Sequence, residues 1–177
     1  MVYPDANPFQ PHPQFVTMVH PLGCTSKKDT DEVRPYIDPT ITGLNEAMAP
    51  VAMRLPKIDE ILQLLQPGWA LGKRDWRHGF YHCTLHQSER PHFGFRLPDG
   101  RLARFKAMPF GASQAPMRFT RIAVEFCRLL TLRLQASGYT NIIIVQYVDD
   151  CFIAADTHTK VQLVFREMDL LAAELGV

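Results

Sequence analysis

The segment that most constrains this chain is residues 142–154. Two apolar runs, Ile142-Ile143-Ile144-Val145 and Cys151-Phe152-Ile153-Ala154, flank the tetrapeptide Tyr147-Val148-Asp149-Asp150. Short runs rich in β-branched residues favour strands, and the few residues between them require a tight antiparallel turn. A buried hairpin follows, with two adjacent carboxylates at its tip. Neighbouring aspartates repel unless solvent or a cation offsets their charge. Asp-Asp in a turn is by itself ordinary turn chemistry, so its meaning depends on the rest of the chain.

Upstream, Ile58, Ile61, Leu62 and Leu65 fall at helical spacing and Pro67-Gly68 stops the pattern, which predicts a short amphipathic helix over 56–68. Residues 69–85 mix aromatic and β-branched side chains and predict a strand around Asp75 with a turn after it. Residues 93–97 and 101–107 flank Pro98-Asp99-Gly100, a turn signal between two strands. A second helix starts near Pro116, with Phe119, Ile122, Phe126, Leu129 and Leu130 as its buried stripe and Gly138 suited to its end. The last helix runs from about Thr157, with Val161, Val164, Phe165, Met168, Leu171 and Leu175 on one face. Five prolines in residues 1–23 predict an extended arm that either lies on another element or is disordered. Strand, hairpin, helix, hairpin, helix is an α+β order with a mainly antiparallel sheet packed on helices.

A chain of 177 residues, 46% apolar and 21% charged, is long enough for one cored domain, or one domain with a subdomain. No apolar run approaches a membrane span, so no membrane partner is expected. Residues 1–23 lack the pattern of a signal peptide. The four cysteines form no CxxC pair, and a reduced, intracellular protein is the simplest reading. The net charge is only +1, but it is unevenly spread: eight basic and three acidic residues lie in 71–108, and six acidic and two basic residues in 140–177. A basic segment beside an acidic one suits a phosphate-binding, metal-dependent site; solvated surface would read the same way.

Asp75 gives the paired aspartates their company. It also follows a strand-like segment, and in a sheet where these strands are neighbours Asp75 would converge with Asp149. Carboxylates are hard ligands suited to Mg²⁺, and two such ions clamp the attacking and leaving oxygens of an in-line phosphoryl transfer. His78, His82 and His86 recur every four residues, but they sit in a strand-and-loop region, and a surface role fits better than zinc.

These motifs resemble those of reverse transcriptases, especially retrotransposon enzymes of the long-terminal-repeat and tyrosine-recombinase kinds. Tyr147-Val148-Asp149-Asp150 is similar to the family's Tyr-x-Asp-Asp box. Lys73-Arg74-Asp75-Trp76-Arg77-His78-Gly79-Phe80-Tyr81 resembles the segment of the first catalytic aspartate. Met108-Pro109-Phe110-Gly111-Ala112-Ser113-Gln114-Ala115-Pro116, with Phe119, is similar to the Pro-Phe-Gly…Ala-Pro…Phe segment. Ser26-Lys27-Lys28-Asp29, Arg34-Pro35-Tyr36-Ile37-Asp38 and Leu44-Asn45 resemble the fingers block, although the stretch from Asp38 to Asn45 is longer than usual and lacks its arginine. Arg74 stands where an apolar residue is usual.

The resemblance implies a polymerase palm with a fingers subdomain. Asp75 and Asp149 would hold two Mg²⁺ ions, with Mn²⁺ as a substitute, and Asp150 would support them. Phe80 would exclude a 2′-hydroxyl, Phe110 would stack near the incoming nucleotide, and Gly111 would let backbone approach it. Lys27 and Arg34 would hold the triphosphate. Tyr147, Val148, Gln114 and Pro116 would face primer and template. Residues 24–68 and 84–107 would be fingers, 69–83 and 108–177 palm, after an arm at 1–23. Partners would be an RNA or DNA template with primer, deoxynucleotides, and the thumb and RNase H regions of a longer polyprotein, which lie outside this chain. A non-catalytic nucleic-acid-binding module on the same fold is the alternative function; an RNA-dependent RNA polymerase is a third, disfavoured by Phe80.

Overall fold

The computed structural model describes residues 9–11, 16–26 and 33–177. In chain order the strands are β1 (Phe9–Pro11), β2 (Val19–His20), β3 (Leu22–Ser26), β4 (Val33–Ile37), β5 (Ala70–Asp75), β6 (Gly94–Arg96), β7 (Leu102–Phe105), β8 (Ile142–Tyr147) and β9 (Asp150–Ala155). The α-helices are α1 (Leu44–Ala47), α2 (Ile58–Leu62), α3 (Ala115–Ala136) and α4 (His158–Leu175). This is the expected α+β architecture. The described residues fold as two compact units, 53–79 with 119–177, and 9–11, 16–26 and 33–52 with 80–118.

In the first unit, β5, β9 and β8 form an antiparallel sheet in that order. The hairpin expected at residues 142–154 is β8–β9. Strand alternation sends Cys151, Ile153 and Ala155 to one face, where they meet Phe126, Cys127, Leu130 and Leu134 of α3 and Val161, Val164, Met168 and Leu171 of α4. Each fully buried Leu or Ile here stabilises the fold by about 1.5–3 kcal/mol. Ile122 and Leu129 were expected within the α3 stripe; Ile122 is 39% exposed and Leu129 only partly buried. At about 100° per residue, the stripe centres on Ala123, Leu130 and Leu134, and those two residues fall on its flank. Helix α4 starts where Thr157 caps it, its hydroxyl accepting from the Lys160 N–H at 3.3 Å, and ends at Gly176 with φ 71°. Leu175, expected on its buried face, is half exposed at that last turn.

The helix expected over 56–68 is only the five residues of α2. Its entry is fixed by Glu60, whose carboxylate accepts from the Lys57 N–H at 3.0 Å and pairs with Arg54. Those donors hold the Glu60 carboxyl below its ordinary range. The apolar period is poorly covered: Ile58 and Leu62 are exposed, and Ile61 and Leu65 are only partly buried.

In the second unit, β1-β7-β6-β2 form one sheet and β3-β4 a hairpin. Of the proline-rich stretch, residues 9–11 pair antiparallel with β7 and Val19–His20 pair parallel with β6; residues 1–8 and 12–15 lie outside the described residues. Strands β6 and β7 are the expected pair around Pro98-Asp99-Gly100. Phe95 and Phe105 fill the core with ring centroids 5.0 Å apart. His20, 2% exposed, lies among them because both ring nitrogens are satisfied, by the His92 carbonyl and the Thr42 hydroxyl, each at 2.6 Å.

Candidate active site

The carboxylates meet at one end of the β5-β9-β8 sheet. The ladder puts Asp75 opposite Asp150 and Tyr147 opposite Asp150, so all three aspartates lie within adjoining positions of one sheet end. The Trp76 N–H, directly after Asp75, donates to the Asp149 carbonyl at 2.9 Å. Tyr147 and Asp150 close a two-residue loop, Val148-Asp149, and Val148 takes φ 49°. A β-branched residue in the left-handed region is disfavoured by roughly 1–2 kcal/mol. His78, three residues after Asp75, has φ 55°. Both aspartate-bearing segments thus hold a non-glycine residue in that region, a form of strain that collects at functional sites.

Carboxylate oxygens suit a hard divalent ion. Asp75 is exposed at the sheet end, and Asp149 and Asp150 are half-buried beside it. Asp150 is already engaged, since its Oδ1 accepts from Lys73 Nζ at 2.9 Å. Among the described residues no group of three His, Cys, Asp or Glu side chains is arranged to hold an ion. By the chemistry of their oxygens, Asp75 and Asp149 would be the ligands left for a divalent cation, the third carboxylate being paired with lysine. Lys73 was not among the residues singled out from sequence; strand alternation, which sets Lys73 and Asp75 on one face, was the available signal.

Arg74, on the opposite face of β5, forms a bidentate pair with Asp169 of α4, and its guanidinium lies 4.7 Å from the Phe165 ring centroid. Its aliphatic stem and stacked head thereby cover α4 where an apolar side chain would otherwise pack. Beneath the tip, Gln146 is 6% exposed. Cys127 and Cys151 touch there, sulfur to sulfur at 3.8 Å, and that contact with burial pushes the Cys151 thiol far up.

The second unit holds the aromatic residues singled out from sequence. Phe80 and Phe110 pack with centroids 4.7 Å apart, Tyr81 meets Phe110 edge-on at 5.6 Å, and the Arg34 guanidinium lies 5.9 Å from the Phe110 ring centroid. Burial pushes the Tyr81 hydroxyl up to about 12. Gly111 has φ 99°, and a Cβ there would come within 1.9 Å of the Ile37 carbonyl oxygen, so no other residue fits. Asn45 fastens this loop: its amide donates to the Gly111 carbonyl at 3.1 Å and accepts from the Ser113 N–H at 2.9 Å. Gln114 donates to the Ala49 carbonyl at 2.9 Å, and Pro116 stands in the first turn of α3. Tyr147 is exposed at the edge strand of its own sheet. Lys27 lies outside the described residues.

A fold of this kind is shared with solved viral polymerases. The foamy viral protease–reverse transcriptase in complex with double-stranded DNA superimposes with a TM-score of 0.74 at 17% identity, over 94% of this chain and 26% of that one. The native protease–reverse transcriptase of prototype foamy virus gives 0.71 at 17% identity, over 94% and 20%. Among sequences, the genome polyprotein of Petunia vein clearing virus (isolate Shepherd) is 31% identical over 85 residues, 48% of this chain and 3% of the polyprotein. The enzymatic polyprotein of Cestrum yellow leaf curling virus is 32% identical over 73 residues, 41% and 11% respectively. The family model described as reverse transcriptase (RNA-dependent DNA polymerase) matches residues 25–177. The chain belongs to the reverse transcriptase family. It spans a small fraction of the length of these viral polyproteins. Among the described residues no helix is long and apolar enough to cross a membrane.

Proposed function

We propose that this chain supplies the nucleotidyl-transfer site of an RNA-directed DNA polymerase, which joins a deoxynucleotide to a primer 3′-hydroxyl on an RNA or DNA template. The observation that carries the reading is the β5–β9 register, which sets Asp75 against Asp150 with Asp149 beside them at the hairpin tip. Asp75 and Asp149 would hold two Mg²⁺ ions, or Mn²⁺ in their place, with Asp150 as the supporting carboxylate. Held by these carboxylates, such ions would supply the positive charge that offsets charge developing on the phosphoryl oxygens. The protein's own contribution is positioning, because phosphoryl transfer needs little covalent help from side chains.

In this reading residues 69–83 and 108–177 act as palm, and 24–68 and 84–107 as fingers. The Phe80–Phe110 pair supports a nucleotide platform: Phe80 excludes a 2′-hydroxyl, Phe110 stacks, and the bare backbone at Gly111 admits close approach. Arg34, beside that pair, and Lys27 bind the triphosphate. Tyr147, Val148, Gln114 and Pro116 face primer and template. The remaining partners are further segments of a longer polyprotein, as the viral relatives have. Free thiols at all four cysteines fit a reducing compartment and hence an intracellular protein. The relatives found are viral and do not favour a long-terminal-repeat over a tyrosine-recombinase element.

The test is primer extension by the full-length protein on an RNA template with deoxynucleotides and Mg²⁺. Asp149→Ala should lower incorporation by about 10³-fold, the equivalent of the several kcal/mol a metal site supplies. An Asp149→Ala protein that incorporates as well as the parent would end the assignment.

A further inference from the structure

The Asp149 Cα lies between two peptide planes, and both are held by specific donors. The carbonyl of the first plane, that of Val148, accepts from Gln146 Nε2 at 2.6 Å. The carbonyl of the second, that of Asp149 itself, accepts from the Trp76 N–H at 2.9 Å. Peptide units are planar, so fixing the planes on either side of a Cα fixes the direction in which its Cα–Cβ bond leaves the backbone. The two donors are also tied to each other, because Gln146 Oε1 accepts from Trp76 Nε1–H at 3.2 Å. The same oxygen accepts from the Cys127 thiol of α3 at 3.5 Å, anchoring the amide to the helix beneath the sheet. Gln146 is 6% exposed, and an amide is costly to bury unless it is hydrogen-bonded; here its nitrogen donates once and its oxygen accepts twice. Its partners lie on three separate elements: the end of β5, helix α3 and the hairpin tip. Val148 keeps its positive φ, where local preference runs against it, because its carbonyl is pinned.

We propose that Gln146 is a positioning residue for the Asp149 carboxylate, acting with Trp76 to hold it in register with Asp75. The proposal rests on the polymerase reading above. Gln146 does not touch substrate; it sets the orientation of a side chain that does. Trp76 joins the two aspartate segments twice, through its backbone N–H to Asp149 and through its indole N–H to Gln146.

The test compares Gln146→Met, which nearly keeps the volume and removes the amide nitrogen and oxygen, with Trp76→Phe, which keeps a six-membered ring and removes the indole N–H with the rest of the smaller ring. In the full-length protein, Gln146→Met should lower kcat by roughly 10–100-fold, the cost of a displacement near 1 Å at a reacting group. KM for the deoxynucleotide should stay within about twofold, because the side chains assigned to the deoxynucleotide are untouched. Hydrogen exchange of the Trp76 amide, read without metal or substrate, should accelerate, and direct titration with Mn²⁺ should show weaker binding. Trp76→Phe should move these readouts the same way by less, and the double variant should fall short of the product of the two, as expected for residues in one network. Gln146→Glu retains the acceptor and loses the donor to Val148, and should resemble Gln146→Met. If Gln146→Met does not fold, Trp76→Phe decides the matter alone. Parental kcat and parental Trp76 exchange in the folded variants would overturn the proposal. Asp149→Ala without incorporation beside an unimpaired Gln146→Met overturns only the positioning role, whereas incorporation that survives Asp149→Ala overturns the polymerase reading and this proposal together.

Discussion

At residues 97–101 and again at residues 147–150 the chain reverses between antiparallel strands, and each turn needs one residue at positive φ. In the first, that residue is Gly100, φ 87°, with open space around the position where a Cβ would be. The Leu97 N–H donates to the Arg101 carbonyl at 2.8 Å, and Asp99 accepts from the Arg101 N–H at 3.0 Å and from its guanidinium at 2.7 Å. The Arg96 guanidinium donates to the Gly100 carbonyl at 2.8 Å, so the bonds that hold this turn all lie within residues 96–101. In the second, the residue is Val148, φ 49°, and its supports come from Gln146 and, for the next peptide, from Trp76, more than seventy residues earlier. The first turn is locally consistent; the second breaks a local rule and is held by tertiary contacts. Local rules are broken where a side chain must be aimed, and the second turn carries Asp149.

The sharpest way to break this comparison is to give the second turn the chemistry of a relaxed one. Replacing Val148-Asp149 with Asn-Gly, a favoured pair for two-residue hairpin loops, should leave the fold intact, with a melting temperature equal to the parent's or higher. Nucleotide incorporation should fall by about 10³-fold, because the carboxylate is gone. Calorimetry and primer extension on one preparation check both halves; a protein that loses stability would mean that the Val148 conformation is not strained.

The converse change is smaller and falls on stability alone. Gly100→Val puts a β-branched residue at φ 87° with nothing to hold it there, and should cost about 1–3 kcal/mol. Urea unfolding measures it. Incorporation at saturating substrate should be unchanged, and a large fall in kcat would tie this turn to the chemistry.

Much of this was legible because the signals are local. The β8–β9 hairpin follows from its two apolar runs, the β6–β7 turn from Pro98-Asp99-Gly100, and α4 from its start near Thr157 and the apolar period after it. Asp75 could be placed near the tip because only a strand neighbouring β9 would bring it there. The supports were not legible. Gln146 reads as a polar residue on an alternating strand, and nothing in its neighbours in sequence reveals that Trp76 and Cys127 satisfy it. Arg74 reads as an interruption of a buried strand until Asp169, ninety-five residues later, is seen to receive it. The apolar period over 56–68 overstated α2, because periodicity reports an apolar face and not whether any surface covers it.

Relaxing Val148 without removing the carboxylate separates strain from chemistry. Val148→Gly should change stability by no more than about 1 kcal/mol, since relief at positive φ is offset by the entropy of a glycine in the unfolded chain. Incorporation should fall severalfold while KM holds, because the tip now samples other orientations. Equal kcat would mean that the Gln146 and Trp76 bonds orient Asp149 without help from the valine.

The smallest effect lies in the relaxed turn and depends on pH. The Arg101 guanidinium and its backbone N–H hold the Asp99 carboxyl below the usual carboxylate range. A carboxyl depressed in the folded state adds stability above its unfolded value, and that contribution disappears as the pH falls through the depressed one. Asp99→Ala should therefore lower the melting temperature slightly near neutral pH, and the difference from the parent should shrink towards nothing under strong acid. Because the group is exposed, salt should shrink it as well. A difference that persists unchanged in acid would show that the loop is held by its glycine and its backbone bonds alone, with Asp99 as bystander. Asp149, aimed by buried partners, would then stand in still sharper contrast to an aspartate that does nothing for its own turn.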